Sequence, residues 1–176
     1  MARQWTIEPL DRKRHDRRSF DCGHDELNDW LANFAGQYEE RDLARTYVAT
    51  LPDDSSVVGY YSVCSRHVRF ECLPVAEAKG LPRHQHVPVV LIGKLAVSKS
   101  VQGQGLGTIL LFDALRLAEH VSQQIGARAV EVDAIDDAAR QFYLKSGFVP
   151  LADDPHHLFM SMRFIRKMNL PPWSQG

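Results

Sequence analysis

The chain has 176 residues, 44% hydrophobic and 24% charged, a composition that predicts one soluble globular domain with a real core and not a chain disordered by default. The formal net charge of −1 excludes a uniformly basic nucleic-acid coat, although cations gather locally at residues 12–18, 41–45, 66–69 and 163–167. No stretch approaches the ~20 apolar residues of a membrane span and residues 1–4 form no apolar leader, so a cytoplasmic protein is expected.

In chain order, residues 5–10 read as a short strand. Leu27, Trp30, Leu31, Phe34 and Tyr38 then recur at helical spacing, with Asp25 and Glu26 in the first turn. Residues 45–51 and 57–70 are rich in Thr, Tyr and Val and flank the turn-prone Pro52-Asp53-Asp54-Ser55, which predicts a hairpin. Prolines at 74, 82 and 88 make residues 71–88 a loop, with room for a short helix over 75–79. Residues 89–97 are almost continuously apolar, the pattern of a central strand covered on both faces.

After a glycine-rich stretch, Leu106, Ile109, Leu110, Leu117 and Val121 predict a helix ending near Gly126, followed by a strand over 129–134. Strand, helix and strand in that order imply a parallel pair. Asp136 and Asp137 can start a second helix that runs to Lys145 and stops at Gly147. Strands are expected at 148–149 and 158–165, and residues 171–176 read as a loose tail. The domain is expected to span 1–168, with 169–176 as the tail.

Cys22, Cys64 and Cys72 are odd in number and show no C-x-x-C spacing, so reduced thiols are expected. His84 and His86 would share one strand face and His156 and His157 are adjacent. No third ligand stands at recognisable spacing, and no metal is expected.

The chemistry concentrates in Val101-Gln102-Gly103-Gln104-Gly105-Leu106-Gly107-Thr108, where a strand hands over to a helix. Alternating glycines admit backbone angles that a Cβ forbids, and the first helical turn presents free N–H groups carrying partial positive charge. Such a turn suits phosphate. Thr108 follows Gly107 with no lysine, which argues against a Walker loop, and G-x-G-x-G is not the dinucleotide fingerprint.

Gln102-x-x-Gly105-x-Gly107, and then Asp136-x-x-Ala139-x-x-Phe142-Tyr143-x-x-x-Gly147-Phe148, resemble the motifs of GNAT-superfamily N-acetyltransferases. The resemblance implies a mixed α/β (α+β) fold: a mostly antiparallel sheet with one splayed parallel pair and flanking helices. It also implies that residues 102–108 hold the pyrophosphate of acetyl-CoA by backbone amides, with Leu95, Ala96 and Val97 along the pantetheine arm and Asp136 and Ala139 in the same cofactor-binding set. Tyr143 would lie near the thioester sulfur.

Phe20-x-Cys22-Gly23-x-x-x-Leu27-x-x-Trp30-Leu31, Arg45-Thr46-Tyr47-Val48, Val58-Gly59-Tyr60-Tyr61-Ser62 and residues 88–97 extend the likeness to the GNAT toxins of type II toxin–antitoxin systems. That likeness implies acetylation of the α-amine of aminoacyl-tRNA, a block of translation, a homodimer, and neutralisation by a ribbon-helix-helix antitoxin. Lys94 stands where the family commonly has Arg, which keeps the charge and loses bidentate phosphate geometry.

An α-amine with a pKa of about 7.7–8.0 is partly neutral at physiological pH, whereas a lysine near ~10.4 is not, so an α-amine acceptor needs little help from a base. Glu131 and Asp133 alternate on one strand and could act through water, or could be solvated strand-end carboxylates. Val97 N–H is the expected oxyanion donor and Tyr143 the expected general acid or sulfur-orienting donor. Arg41, Arg45, Arg66, His67 and Lys94 are the candidate acceptor-binding cations. Two alternatives stand beside this reading: an acetyltransferase for a small amine or a protein N-terminus, and a non-catalytic acyl-CoA-binding regulator.

Overall fold

The computed structural model describes residues 5–83 and 85–174; the pairing of His84 with His86 on one face therefore lies outside the described residues. The strands are β1 (Thr6–Pro9), β2 (Arg45–Thr50), β3 (Val57–Arg69), β4 (His86–Val97), β5 (Ala129–Asp133), β6 (Val149–Pro150) and β7 (His157–Ser161). They follow the order β1-β2-β3-β4-β5-β7-β6, with β4 in the middle as its apolar run predicts. The pairs β1–β2, β2–β3, β5–β7 and β6–β7 are antiparallel, and β4–β5 is the parallel pair implied by strand, helix, strand.

The helices are α1 (Asp25–Asp29), α2 (Ala35–Glu40), α3 (Val75–Ala78), α4 (Leu106–Ser122), α5 (Asp137–Lys145) and α6 (Met162–Lys167). No helix among the described residues is long and apolar enough to cross a membrane. The chain divides into two compact units, Met1–Cys64 with Gly93–Ala114 and Trp173–Gly176, and Ser65–Ile92 with Leu115–Pro172.

In the first unit, Phe20, Leu27, Leu31, Val48, Val57, Tyr60 and Ala96 bury one another. Trp30 stacks on Tyr60 at 5.9 Å, and the Tyr60 hydroxyl donates to Leu27 O at 2.8 Å. A π-helical turn, Trp30–Phe34, joins α1 to α2. Its wider turn keeps Leu27, Leu31 and Ala35, four residues apart, on one buried face. Phe34 and Tyr38, expected on the apolar stripe, are consequently exposed. Gly59 lies under the start of α4: a Cβ there would meet Leu106 and Leu110 side chains at 2.9 Å, so its absence lets the helix approach β3. Trp173 meets Tyr47 edge-on at 6.0 Å.

In the second unit, Val68, Cys72, Leu73, Val87, Val89, Ala129 and Phe159 form the core. The β5–β7 register sets Glu131 opposite Phe159 and Asp133 opposite His157, so these four share the face of Ala129. The strand expected over 158–165 stops at Ser161, whose hydroxyl accepts from Phe164 N at 3.2 Å and caps α6. Met162 and Ile165, three residues apart, are buried, and the residues between them and after them are exposed. Two smaller departures are Ile109, exposed on α4, and β4, whose side chains are partly half-buried instead of covered on both faces.

Candidate active site

The phosphate-type loop belongs to the first unit. β4 ends at Val97, a 3-10 turn spans Lys99–Val101, and α4 begins at Leu106. Gly103 and Gly105 have φ of +74° and +87°, and a Cβ at either would meet nothing within 4 Å. Glycine is favoured there by the backbone angle, not by packing. Among the described residues no amide from Gly103 to Thr108 donates to a protein acceptor, and the first helical bond runs from Ile109 N to Gly105 O at 3.2 Å. The first turn of α4 holds no acidic side chain to compete for those amides. The loop thus presents a row of unbonded amides in open space, a geometry suited to an anion.

Gln102 fixes that shape. Its side-chain Nε2 donates to Val97 O at 2.9 Å and to Cys22 O at 3.1 Å; because both partners are carbonyl oxygens, only the amide nitrogen can face them. Lys99 N donates to Asp21 O at 2.8 Å, and its Nζ pairs with Asp21 Oδ2 at 3.1 Å. Ser98 N donates to Val58 O at 2.8 Å, so the alternating N–H of Val97 points to the side of β4 away from β3. The ladder between β4 and β5 runs over Val89–Ile92 and stops five residues short of Val97. Ala96 is buried, and Leu95 and Val97 are half-buried.

Tyr143 belongs to the second unit. Asp136 caps α5 by accepting from Ala139 N at 2.7 Å, and Gly147 at φ +103° ends it, as the motif predicts. Asp136 and Ala139 therefore have a structural task in setting the helix that carries Tyr143. The Tyr143 ring is buried against Phe142 and Phe148, edge-on at 5.2 and 5.4 Å, while its hydroxyl makes no hydrogen bond among the described residues. Burial pushes the phenol well above its ordinary pKa and the nearby Asp133 charge pushes it further, so the proton stays on oxygen.

Asp133 is part of a cluster that the sequence does not reveal. Arg66 donates to Asp133 Oδ2 at 2.9 Å and lies 3.6 Å from Glu131 Oε2; His157 Nε2 lies 3.4 Å from Asp133 Oδ1 and its Nδ1 is 3.0 Å from Asp153 Oδ2. Glu131 is 2% exposed and its Oε2 has no hydrogen-bond partner. Burial raises the Glu131 pKa, with Arg66 opposing. Burial lowers that of His157, but the Asp153 bond and the neighbouring acids outweigh it and leave it raised. One ligand atom each from Glu131, Asp133 and His157 lie within 4.8 Å of one another, and the guanidinium of Arg66 is the cation placed beside the two carboxylates.

The other predicted cations are less uniform. Arg45 pairs with Asp42 at 2.6 Å and Glu39 at 3.7 Å, so its charge is matched locally. Lys94 Nζ sits 6.0 Å from the Trp30 ring centroid, His67 meets His86 edge-on at 6.2 Å, and Arg41 at the end of α2 has no ion pair among the described residues.

A model of the Acetyltransferase (GNAT) family matches residues 5–148. The chain belongs to the GNAT acetyltransferase family. This GNAT chain is 30% identical over 169 residues to "Probable toxin TacT" of Sinorhizobium fredii, covering 92% of this chain and 93% of the relative. It is 35% identical over 153 residues to "tRNA-acetylating toxin" of Mycobacterium tuberculosis, covering 87% and 90%. Among solved structures it is similar to AtaT complexed with acetyl-methionyl-tRNAfMet, at 29% identity and a TM-score of 0.87 over 94% of this chain and 99% of that one. It is also similar to a tyrosine-to-phenylalanine mutant of AtaT bound to the C-terminus of the antitoxin AtaR and acetyl-CoA, at 28% identity and a TM-score of 0.80 over 93% and 97%.

Proposed function

We propose that this chain is the toxin of a toxin–antitoxin pair, using acetyl-CoA to acetylate the α-amine of aminoacyl-tRNA and so block translation. The observation that carries the reading is the row of unpaired amides from Gly103 to Thr108. Near full-length likeness to a tRNA-acetylating toxin and to an acetyl-methionyl-tRNA complex supports the acceptor. Likeness to a toxin held with its antitoxin and acetyl-CoA supports the partner and the cosubstrate. In this reading the protein is a cytoplasmic homodimer neutralised by a ribbon-helix-helix antitoxin.

The free amides and the dipole of α4 bind the diphosphate of acetyl-CoA, and the open space over Gly103 and Gly105 admits it. Val97 N–H donates to the carbonyl oxygen as it becomes an oxyanion. The amine nitrogen bonds to the acetyl carbon, the carbon–sulfur bond breaks, and the amine's proton leaves to water or to the Asp133–His157 pair. Tyr143 donates a hydrogen bond to the departing sulfur; with its pKa raised, it stabilises the developing thiolate without surrendering its proton outright.

The test is incubation with labelled acetyl-CoA and bulk charged tRNA. Label entering the aminoacyl end in a form protected from deacylation is expected. Turnover on a free small amine alone would move the acceptor to another class, and no turnover on either would leave a non-catalytic acyl-CoA binder.

A further inference from the structure

Residues 162–167, Met-Arg-Phe-Ile-Arg-Lys, form α6 of the second unit. With Met162 and Ile165 turned inward, the helix leaves Arg163, Arg166 and Lys167 exposed. They line a cleft of about 650 Å³ together with Arg128, which leads into β5, and Glu77 of α3. Four cations thus face one carboxylate, in a chain whose formal charge is −1.

The cations are not arranged as a self-satisfied network. Arg166 is tethered by Ser122 Oγ at 3.2 Å and Glu119 Oε1 at 3.6 Å. Arg128 reaches only the backbone oxygen of Glu77, at 3.4 Å, and its Nε is buried without a partner. Arg163 and Lys167 have no ion pair among the described residues. Concentrated like charge is unfavourable unless something anionic shares it. Seven of the nine lining residues are polar or charged, so the cleft offers few anchors for an amphipathic peptide and suits a phosphate backbone.

Its position fits as well. Arg128 precedes β5 and Asp133 ends it, so at roughly 3.3 Å per residue the cleft and the Asp133 cluster are about 17 Å apart. At roughly 3.4 Å per stacked nucleotide that is about five nucleotides of one strand, the reach from an aminoacyl end to the base of a single-stranded 3′ end.

We propose that the cleft between Arg128 and α6 is a docking site for the phosphate backbone of the tRNA acceptor stem, separate from the groups that act on the amine. The proposal rests on the tRNA reading above and names where the RNA is held.

The test compares the wild type with the double variant Arg163→Glu/Lys167→Glu, both at exposed positions of α6. Binding of an uncharged acceptor-stem RNA is followed by fluorescence anisotropy as salt is varied. Acetyl transfer is measured to charged tRNA and to an amino-acid methyl ester. The RNA should bind at least tenfold more weakly, the slope of log affinity against log salt should fall by about 1.4–1.8, at 0.7–0.9 per lost phosphate contact, and the KM for charged tRNA should rise in step. Turnover on the ester should be unchanged, which also reports an intact fold, and the charge-keeping pair Arg163→Lys/Lys167→Arg should bind normally. Unchanged RNA affinity and salt slope would overturn the assignment, as would equal loss on both acceptors. Unchanged RNA binding with weaker neutralisation by the antitoxin would reassign the cleft to an acidic peptide. If the wild type binds RNA through this cleft yet acetylates the ester alone, the function reading fails and the cleft assignment stands.

Discussion

Replacing Gln102 probes the brace that keeps the loop amides open. Its Nε2 makes two hydrogen bonds to carbonyl oxygens, at 2.9 and 3.1 Å, one of them part-buried and the other exposed. At about 0.5–1.5 kcal/mol each, with water able to replace the exposed one, Gln102→Ala should destabilise the fold by about 1–2 kcal/mol. For a chain of this size that is a fall in Tm of roughly 2–8 °C. Gln102→Glu keeps the shape and removes both donors, aiming a carboxylate at two carbonyl oxygens and placing an anion beside the proposed diphosphate site. It should therefore be worse than Ala in both Tm and the KM for acetyl-CoA. If about 1 kcal/mol of the brace holds the loop in its binding form, KM rises roughly fivefold for Ala. Thermal unfolding and initial rates at saturating acceptor measure both quantities. A Glu variant equal to the Ala variant, or an unmoved KM in either, would refute the assignment of the two bonds.

Tyr143→Phe should keep a Tm near that of the wild type, because the hydroxyl makes no hydrogen bond in the fold, and should lower kcat by roughly 10²–10⁴ in the acetyl-transfer assay. Glu131→Gln tests the buried carboxylate: its pKa is raised above the ordinary 4.5, so stability held below that pH is lost as pH rises through the folded value. The variant should match the wild type in Tm near pH 4 and exceed it at pH 7, a tenfold difference in proton affinity between the folded and unfolded chain corresponding to about 1.4 kcal/mol; a lower Tm at pH 7 would show the charge to be stabilising. Asp136→Ala removes the cap bond to Ala139 N and should reduce stability by about 1 kcal/mol in chemical denaturation.

Local chemistry was readable in the sequence. The alternating glycines announced positive φ at 103 and 105, Asp136 announced its own helix cap, and Gly147 announced the helix end, because each depends on a few neighbouring residues. The apolar run at 89–97 likewise marked the central strand. Local pattern failed at 162–165, where the Ser161 cap overrode an apolar run that reads equally well as strand. The Arg66–Glu131–Asp133–His157 cluster was out of reach for another reason. It draws on β3, β5 and β7: the β5–β7 register sets Asp133 against His157, and the strand order brings Arg66 of β3 within reach of the two carboxylates. The same holds for Gln102, whose partner Cys22 is 80 positions away.

Backbone amide exchange over residues 103–108, in the free protein and with coenzyme A or acetyl-pantetheine added, tests the anion receptor most directly. Fast exchange in the free protein, with protection on adding coenzyme A and little on adding the pantetheine lacking the diphosphate, is the expected result. Amides already protected in the free protein, or equal protection by both compounds, would contradict it.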